Sequence, residues 1–197
     1  MIDSAGRAAY LSVAMDIDTP LRNLGEVPIQ ALRDAVLGLD EAAWLDEQYR
    51  QDTYDVHKQT RSLVLVFTDG SGWPDIEVNK VSAWDWLAES AVPLMHGIIE
   101  QHFQPGGTII RAMAAKLIVG GVIQPHKDSH PSFHASHRIH VPLSTNPRVR
   151  FTLGGRPRKL EVGQAYEINN QLTHSVMNKG KEDRVHFIFD YLPARQF

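Results

Sequence analysis

Residues 164–191, QAYEINNQLTHSVMNKGKEDRVHFIFDY, contain three short strand-like runs that are separated by turn residues. The runs cover residues 164–168, 173–177 and 184–191, and each contains β-branched or aromatic side chains. Several such runs at close spacing indicate an antiparallel barrel or a double-sheet jelly roll. The same pattern extends back along the chain through runs at 108–119, 122–126, 137–143, 148–153 and 158–161.

The first hundred residues combine helical spacing with one clear strand-like run. Apolar side chains recur at intervals of three and four over residues 29–39, and Asp40 is a suitable cap for a second helix over residues 41–49. Residues 62–67, SLVLVF, predict a strand. Residues 84–103 predict the longest helix, in which Pro93 is expected to begin or kink a turn.

Helices followed by strands predict an α+β fold that is mainly β. We expect an antiparallel barrel or a double-sheet jelly roll, with helices from the N-terminal half packed on one face. No change of composition marks a linker, so the sequence predicts one domain over residues 1–197. Within it, residues 1–107 are expected to form a helix-rich part and residues 108–197 a strand-rich core that carries the site.

Composition excludes several classes of function. The chain of 197 residues has a formal net charge of −3 and no cysteine. It has no basic excess for a phosphate backbone, so we expect no nucleic-acid partner. Any bound metal must be held by nitrogen and oxygen ligands. With no long apolar run and no signal-peptide pattern, the sequence predicts a cytoplasmic protein without a membrane partner.

Histidines cluster in the centre of the chain, and one hypothesis joins His126 and Asp128 to the distant His174. Two imidazoles and one carboxylate can occupy one face of an octahedral metal and leave three positions open. This is the arrangement of non-haem Fe(II) oxygenases. Residues two apart in a strand point to the same side, so His126 and Asp128 can converge on one ion.

Two other interpretations of the histidine cluster stay open from the sequence. His130 and His134 lie four residues apart and could bind zinc from one helical turn. Pro131 lies between them, however, and the glutamate of a zinc hydrolase motif is absent. The third interpretation is that these histidines are loop residues that bind no metal.

The run at 184–191 separates its side chains into two faces. Val185, Phe187 and Phe189 form an apolar packing face, whereas Arg184 and His186 lie on the opposite face. If the packing face meets the helices, Arg184 points into the barrel. A buried arginine is costly unless it meets an anion, and a carboxylate suits its geometry. The alternative is that Arg184 pairs with a neighbouring acidic residue or reaches solvent.

The run at 137–143 has the same alternation. Ile139, Val141 and Leu143 form its apolar face, and Arg138 and His140 share the other. Two strands would thus each place one arginine and one histidine on a polar face. A small dianion near the metal would satisfy both arginines.

With these residues in place, the second half of the chain resembles the aspartyl/asparaginyl β-hydroxylase family of Fe(II)- and 2-oxoglutarate-dependent oxygenases. That family includes bacterial amino-acid hydroxylases such as the proline cis-hydroxylases. Five blocks in a fixed order carry the resemblance: GGVIQPHKD at 120–128, RIHVPL at 138–143, LEVGQAYEIN at 160–169, HSVMN at 174–178 and DRVHFIFDYL at 183–192. Residues 56–67, VHKQTRSLVLVF, are similar to an early segment of bacterial members.

The resemblance implies a double-stranded β-helix in which His126, Asp128 and His174 hold Fe(II). It implies 2-oxoglutarate and O2 as cosubstrates, with Arg184 bound to the distal carboxylate of 2-oxoglutarate. The presence of Asp128 favours hydroxylation over halogenation, because halogenases of this chemistry leave that position free for halide.

The resemblance also implies roles near 2-oxoglutarate for further residues. Arg138 and His140 are expected near the metal-binding end of the cosubstrate. A serine that helps to bind 2-oxoglutarate in family members is missing here, and Lys116 is a candidate substitute.

The sequence therefore predicts a dioxygenase that hydroxylates an unactivated C–H bond of a free amino acid or another small carboxylic metabolite. A small substrate is favoured over a peptide because the sequence contains no additional peptide-binding module. One alternative is a β-hydroxylase of aspartyl or asparaginyl residues in a protein. Another is a cupin-like binding or sensor domain without catalysis. The sequence does not indicate an oligomeric state.

Overall fold

The computed structural model describes residues 17–45 and 59–194. The helices in this part of the chain are α1 Gln30–Leu37, α2 Glu41–Leu45, α3 Trp84–His102 and α4 Pro131–His134. The strands are β1 Leu21–Glu26, β2 Thr60–Phe67, β3 Asn79–Lys80, β4 Thr108–Leu117, β5 Val122–His126, β6 His137–Ser144, β7 Val149–Leu153, β8 Arg156–Arg158, β9 Gln164–Ile168, β10 His174–Asn178 and β11 Arg184–Leu192. None of the described helices is long and apolar enough to cross a membrane.

A seven-stranded antiparallel sheet forms the larger half of the fold. Its strand order is β1-β9-β6-β11-β4-β2-β3, so β11 lies between β4 and β6 near the centre. Strands β1, β2 and β3 come from the N-terminal part of the chain. Strand β2 pairs with β4 along most of its length. The N-terminal part therefore supplies strands to the large sheet as well as helices.

The helices cover one face of the large sheet. In α3, the buried side chains Leu87, Ala91, Leu94, Met95 and Ile98 recur every three or four residues and form one apolar stripe. The stripe belongs to the same core as Val185, Phe187 and Phe189 of β11. The predictions of helices on one face and of a packing face on β11 are both confirmed. Pro93 lies inside α3, which continues through it.

A four-stranded sheet of order β5-β10-β7-β8 packs against the other face of the large sheet. The second core joins the two sheets, with Phe151, Leu153 and Val176 from the small sheet and Leu117 and Ile168 from the large sheet. Two antiparallel sheets with a shared core form the predicted jelly roll.

Some elements differ from the sequence-based predictions. The strand predicted over 158–161 begins and ends earlier, as β8, because Gly154 and Gly155 both have positive φ and close a two-residue hairpin between β7 and β8. Leu160 leaves the sheet and packs into the second core. The helix predicted over 41–49 is described as α2 up to Leu45, and its remainder lies outside the described residues.

Candidate active site

Three side chains from two separate parts of the chain, His126 and Asp128 from one and His174 from the other, meet at the small sheet. His126 at the end of β5 is the register partner of His174 at the start of β10, and the two ring centroids lie 4.3 Å apart. Asp128 follows β5 by two residues. One ligand atom from each of the three residues lies within 4.8 Å of the others. The structure thus brings together the two imidazoles and the carboxylate that the sequence singled out.

Backbone carbonyls fix the orientation of both imidazoles. Nδ1 of His126 lies 2.8 Å from the carbonyl oxygen of Gln124, and Nδ1 of His174 lies 3.0 Å from that of Leu172. A carbonyl can only accept, so each Nδ1 carries the proton and each Nε2 keeps a lone pair. Burial lowers the pKa of His174, which favours the neutral, metal-binding form.

Asp128 is held by its main chain and by one of its carboxylate oxygens. Its backbone N–H donates to the carbonyl oxygen of Asn170 over 3.2 Å, and its Oδ2 accepts from Nη1 of Arg138 over 2.6 Å. Its Oδ1 lies 3.9 Å from Nε2 of His126. One oxygen therefore remains to join the two imidazoles. A set of two nitrogens and one carboxylate oxygen suits Fe(II) and leaves positions for exchangeable ligands.

Both histidines of the alternative zinc pair make other hydrogen bonds. Nδ1 of His130 lies 2.9 Å from Oγ of Ser132 and accepts from the backbone N–H of that residue, so His130 caps the short helix α4. Nε2 of His134 lies 3.1 Å from the carbonyl oxygen of Asp128. In residues 17–45 and 59–194, His126, Asp128 and His174 are the one group close enough to share an ion.

Arg184 is a buried cation that no carboxylate of the described residues neutralises. Only 3% of the residue is exposed, and Nε is buried without a hydrogen-bond partner. Asp183 does not pair with it and accepts from the backbone N–H of Val119 instead. Burial lowers the pKa of Arg184 to about 9, so the guanidinium stays charged at neutral pH. A buried charge without a counterion is unfavourable, and a bound anion would relieve it.

One cavity of about 70 Å³ contains both the candidate metal ligands and this cation. Its lining includes His126, His174 and Arg184, together with the apolar side chains of Phe151 and Val176. A small anion in the cavity can therefore reach the guanidinium and the imidazoles at the same time. The apolar walls strengthen both contacts because they keep water away from the charges.

Arg138 differs from the sequence-based argument. Its Nε and Nη2 each donate to one carboxylate oxygen of Asp190 over 2.8 Å, and its Nη1 donates to Asp128. Although burial opposes the charge, Asp128 and Asp190 raise the pKa of Arg138. A shared dianion is therefore not required to satisfy Arg138, which has two carboxylates of its own, and its predicted role near 2-oxoglutarate remains a prediction. Its contact with Asp128 nevertheless keeps it beside the metal-binding atoms.

His140 and Lys116 also line the cavity. Burial, followed by the charges of Arg184 and Arg138, lowers the pKa of His140 well below its usual value, so the ring is neutral. Nζ of Lys116 lies 2.7 Å from Oε2 of Glu41 and is therefore already paired. The binding roles predicted for His140 and Lys116 remain predictions.

The sequence-based argument missed Asp190, an acidic residue behind the cavity. Asp190 is fully buried and accepts from Arg138, and Nη1 of Arg111 lies 3.4 Å from the same carboxylate. Asp190 shares the alternation of Arg184 and His186, so extending the interior face of β11 by two more positions, past Ile188, identifies it. Its partner could not be identified in this way, because the pairing of Asp190 with Arg138 depends on strand order.

Residues 30–193 match the family described as Aspartyl/Asparaginyl beta-hydroxylase. The chain belongs to this family. Membership confirms the predicted enzyme class, and this hydroxylase is an oxygenase that uses Fe(II), 2-oxoglutarate and O2. The cluster of His126, Asp128 and His174 supplies a donor set that fits the metal. No curated protein matches the chain.

Solved structures establish the fold of the hydroxylase independently. The non-heme monooxygenase ThoJ in its nickel complex is 13% identical, with a TM-score of 0.53, over 88% of this chain and 73% of that one. The viral collagen prolyl hydroxylase vCPH from Paramecium Bursaria Chlorella virus-1 is 8% identical, with a TM-score of 0.52, over 90% of this chain and 97% of that one. An oxidoreductase of the 2OG-Fe(II) oxygenase family from Burkholderia pseudomallei is 10% identical, with a TM-score of 0.50, over 82% of this chain and 89% of that one.

Proposed function

We propose that this hydroxylase acts on a free amino acid or another small carboxylic metabolite. In this proposal His126, Asp128 and His174 hold Fe(II), and Arg184 binds the distal carboxylate of 2-oxoglutarate. The observation that carries the proposal is the buried, uncompensated charge of Arg184 in the cavity that contains the metal-binding atoms. A dicarboxylate can neutralise this cation with one end and approach the metal with the other.

The residues around the metal have defined tasks in this scheme. Iron with 2-oxoglutarate and O2 supplies the oxidising power that converts a C–H bond into an alcohol. His126 and His174 present Nε2 because their Nδ1 protons are engaged by carbonyl oxygens. Arg138 holds Oδ2 of Asp128 and leaves Oδ1 for the metal. Such outer contacts fix the angle at which a ligand approaches its ion.

Arg184 lines the same cavity, and its task in this proposal is to bind and orient the distal carboxylate of 2-oxoglutarate. A guanidinium has donors only and does not exchange protons near neutral pH, so Arg184 contributes position and charge. The apolar side chains of Phe151, Val176 and Ile188 line the same cavity and limit the access of water. Exclusion of water strengthens the pairing between Arg184 and a carboxylate.

The preference for a small substrate is supported by the loop between β5 and β6. His134 in this loop contacts the carbonyl oxygen of Asp128, and the buried Ser132 accepts from Nη2 of Arg111. These contacts anchor the loop beside the metal-binding residues. An anchored loop of this kind favours a closed site over an elongated groove for a peptide.

A β-hydroxylase of aspartyl or asparaginyl residues is the second candidate, and the description of the matched family favours it. A non-catalytic binding domain is disfavoured because the chain has the complete set of two histidines and one aspartate. Release of succinate separates a catalyst from a binding domain. Comparison of amino acids with peptides separates the two hydroxylases.

The test is a screen of anaerobic protein loaded with Fe(II) and 2-oxoglutarate. Substrates that bind beside the iron shift its metal-to-ligand charge-transfer band, and a panel of free amino acids is compared with aspartyl and asparaginyl peptides. We expect shifts with one or more free amino acids, followed by succinate formation when O2 is admitted. Shifts with the peptides alone would instead support the second candidate.

Variants connect the screen to the residues. His174→Ala and Asp128→Ala should abolish succinate formation, because each removes a metal ligand. Arg184→Gln should mainly raise the concentration of 2-oxoglutarate needed for half-maximal turnover. Arg148→Gln, which changes an exposed arginine on the loop after β6, is the matched control and should behave as the wild-type protein. The proposal fails if wild-type protein neither binds Fe(II) nor consumes 2-oxoglutarate with any compound in the panel.

A further inference from the structure

The guanidinium of Arg184 has one hydrogen-bond partner among the described residues, and this partner is a histidine of the same strand. Nη2 of Arg184 donates to Nδ1 of His186. Nε is buried without a partner, and burial lowers the pKa of Arg184. The orientation of the cation therefore depends on His186.

His186 is held firmly because of its place in β11. The strand lies between β4 and β6, and His186 is paired with Ala115 on one side and Pro142 on the other. Only 2% of the residue is exposed. Side chains two residues apart in a strand point to the same side, so His186 and Arg184 project together away from the helix-packed face.

The hydrogen bond fixes the chemical state of His186. An arginine can only donate, so Nδ1 of His186 must be the acceptor and the ring proton must lie on Nε2. Burial, followed by the charges of Arg184 and His140, lowers the pKa of His186 well below its usual value. A neutral ring with this tautomer acts as a fixed acceptor for Nη2.

Arg184 needs such a fixed acceptor because two cavities are open to it. The first is the cavity of about 70 Å³ that contains His126 and His174. The second has a volume of about 510 Å³ and is lined by Arg184 and His186, together with Arg158 and other residues after β8. A long arginine side chain can turn toward either space. Because the guanidinium is planar, one hydrogen bond at Nη2 restricts the direction of its remaining donors.

We propose that His186 is a positioning residue that directs the guanidinium of Arg184 at the distal carboxylate of 2-oxoglutarate. The inference rests on the proposed function, since it assigns the carboxylate to Arg184. Without the acceptor at position 186, the side chain of Arg184 turns toward the second cavity and binds the cosubstrate less well.

The experiment compares two substitutions of His186. His186→Phe keeps a ring of similar size and removes the acceptor, whereas His186→Asn keeps an acceptor oxygen close to the position of Nδ1. Binding of 2-oxoglutarate to anaerobic Fe(II)-loaded protein is measured by its charge-transfer band, and thermal unfolding checks that each variant is folded. We expect His186→Phe to raise the dissociation constant about tenfold, in keeping with the loss of a hydrogen bond to a charged group, and His186→Asn to raise it less than about threefold.

Pyruvate provides the control ligand because it has the 2-oxo acid group of 2-oxoglutarate but no distal carboxylate. Its dissociation constant should be the same in wild-type protein and in His186→Phe. The double variant with Arg184→Gln should bind 2-oxoglutarate no more weakly than Arg184→Gln alone, since His186 acts through Arg184.

Three outcomes overturn the inference: unchanged 2-oxoglutarate binding in His186→Phe, an equal loss of pyruvate binding, or an additive loss in the double variant. Where His186→Phe does not fold, His186→Met removes the same acceptor with a flexible side chain and is judged by the same results. Failure of the proposed function has a different signature. In that case wild-type protein does not bind 2-oxoglutarate, or Arg184→Gln binds it as wild-type protein does.

Discussion

Asp190 is a carboxylate that two arginines share inside the large sheet. It is fully buried, accepts from Arg138 through both oxygens and lies 3.4 Å from Nη1 of Arg111. Asp190→Asn keeps the shape of the side chain but leaves both cations with less compensation. Breaking a buried ion pair costs about 3–5 kcal/mol, so the free energy of unfolding should fall by about that amount. Urea unfolding measures the loss.

Glu161 offers the control for Asp190, because its ion pair with Lys159 over 2.8 Å is exposed. Glu161→Gln should leave the urea midpoint unchanged, since exposed ion pairs contribute little to stability. Equal midpoints for Asp190→Asn and wild-type protein would show that the buried network does not stabilise the fold.

The neutral state of His186 makes stability depend on pH. Its folded-state pKa is lowered, first by burial and then by Arg184 and His140. Below about pH 6.5 the unfolded chain binds a proton at this residue and the folded chain does not, so stability falls as the pH falls. His186→Asn should reduce this decline between about pH 7 and pH 5. Urea unfolding across that range is the measurement, and parallel curves would contradict it.

The candidate metal ligands were open to prediction because two of the three lie close together in the sequence. The spacing of His126 and Asp128 places both on one side of a strand end, and a distant histidine completes the set. The pairing of Asp190 with Arg138 behind them was not predicted, because no spacing in the sequence indicates that these two residues are partners. That contact arises where β11 pairs with β6.

At the scale of the element, β11 has two faces with separable tasks. Phe187 is fully buried against the helices, while Arg184 and His186 lie on the face toward the small sheet. Phe187→Ala should lower the free energy of unfolding by about 3–5 kcal/mol because it leaves a cavity in the core. The dissociation constant for 2-oxoglutarate, measured by the same charge-transfer band, should stay within about twofold of the wild-type value. Urea unfolding and ligand titration together test the prediction.

Val119→Ala is a suitable control for Phe187→Ala, because Val119 is 48% exposed and lies in the turn after β4. It should change neither stability nor cosubstrate affinity to a measurable extent. A strong loss of 2-oxoglutarate affinity in folded Phe187→Ala protein would show that the two faces of β11 are not independent.

Strands with strong alternation were predicted from the sequence, and weaker ones were not. The edge strand β1 has Leu24 as its one buried residue, so it shows almost no hydrophobic period. The position of β8 is determined by the glycine turn at residues 154 and 155, and its outward arginine and proline give no apolar pattern. Edge strands with a single buried residue therefore cannot be identified from hydrophobic alternation.

Across the whole molecule, the two sheets contribute different parts of the site. His126 and His174 belong to the small sheet, whereas Arg184 and His140 belong to the large sheet. The ion pair of Asp128 with Arg138 connects the two sides. A metal that is bound together with 2-oxoglutarate would therefore bridge the sheets and stabilise the folded state.

Thermal unfolding can measure this bridging. Manganese at about a hundred times its dissociation constant should stabilise the fold by about 2.7 kcal/mol, and 2-oxoglutarate should raise the melting temperature further. Arg184→Gln should keep the increment from the metal and lose most of the increment from 2-oxoglutarate. Removal of the metal with a chelator should reverse both. An equal response to 2-oxoglutarate in Arg184→Gln would contradict the bridging role.

The fold class was predictable because many short alternating runs have few stable arrangements other than a closed pair of sheets. The contribution of the N-terminal part to the large sheet was not predictable, since β1 and β2 reach their partners only through long-range pairing. Helical spacing therefore predicted the helices that cover the large sheet. The places of β1 and β2 in that sheet could not be predicted without its strand order.

The central place of β11 has a consequence for synthesis of the protein on the ribosome. This strand comes last among the described elements, yet β4 and β6 meet only through it. Until residue 192 has left the exit tunnel, both neighbours expose unpaired edges that can attract other nascent chains. A chaperone that shields those edges during translation should therefore raise the yield of folded oxygenase.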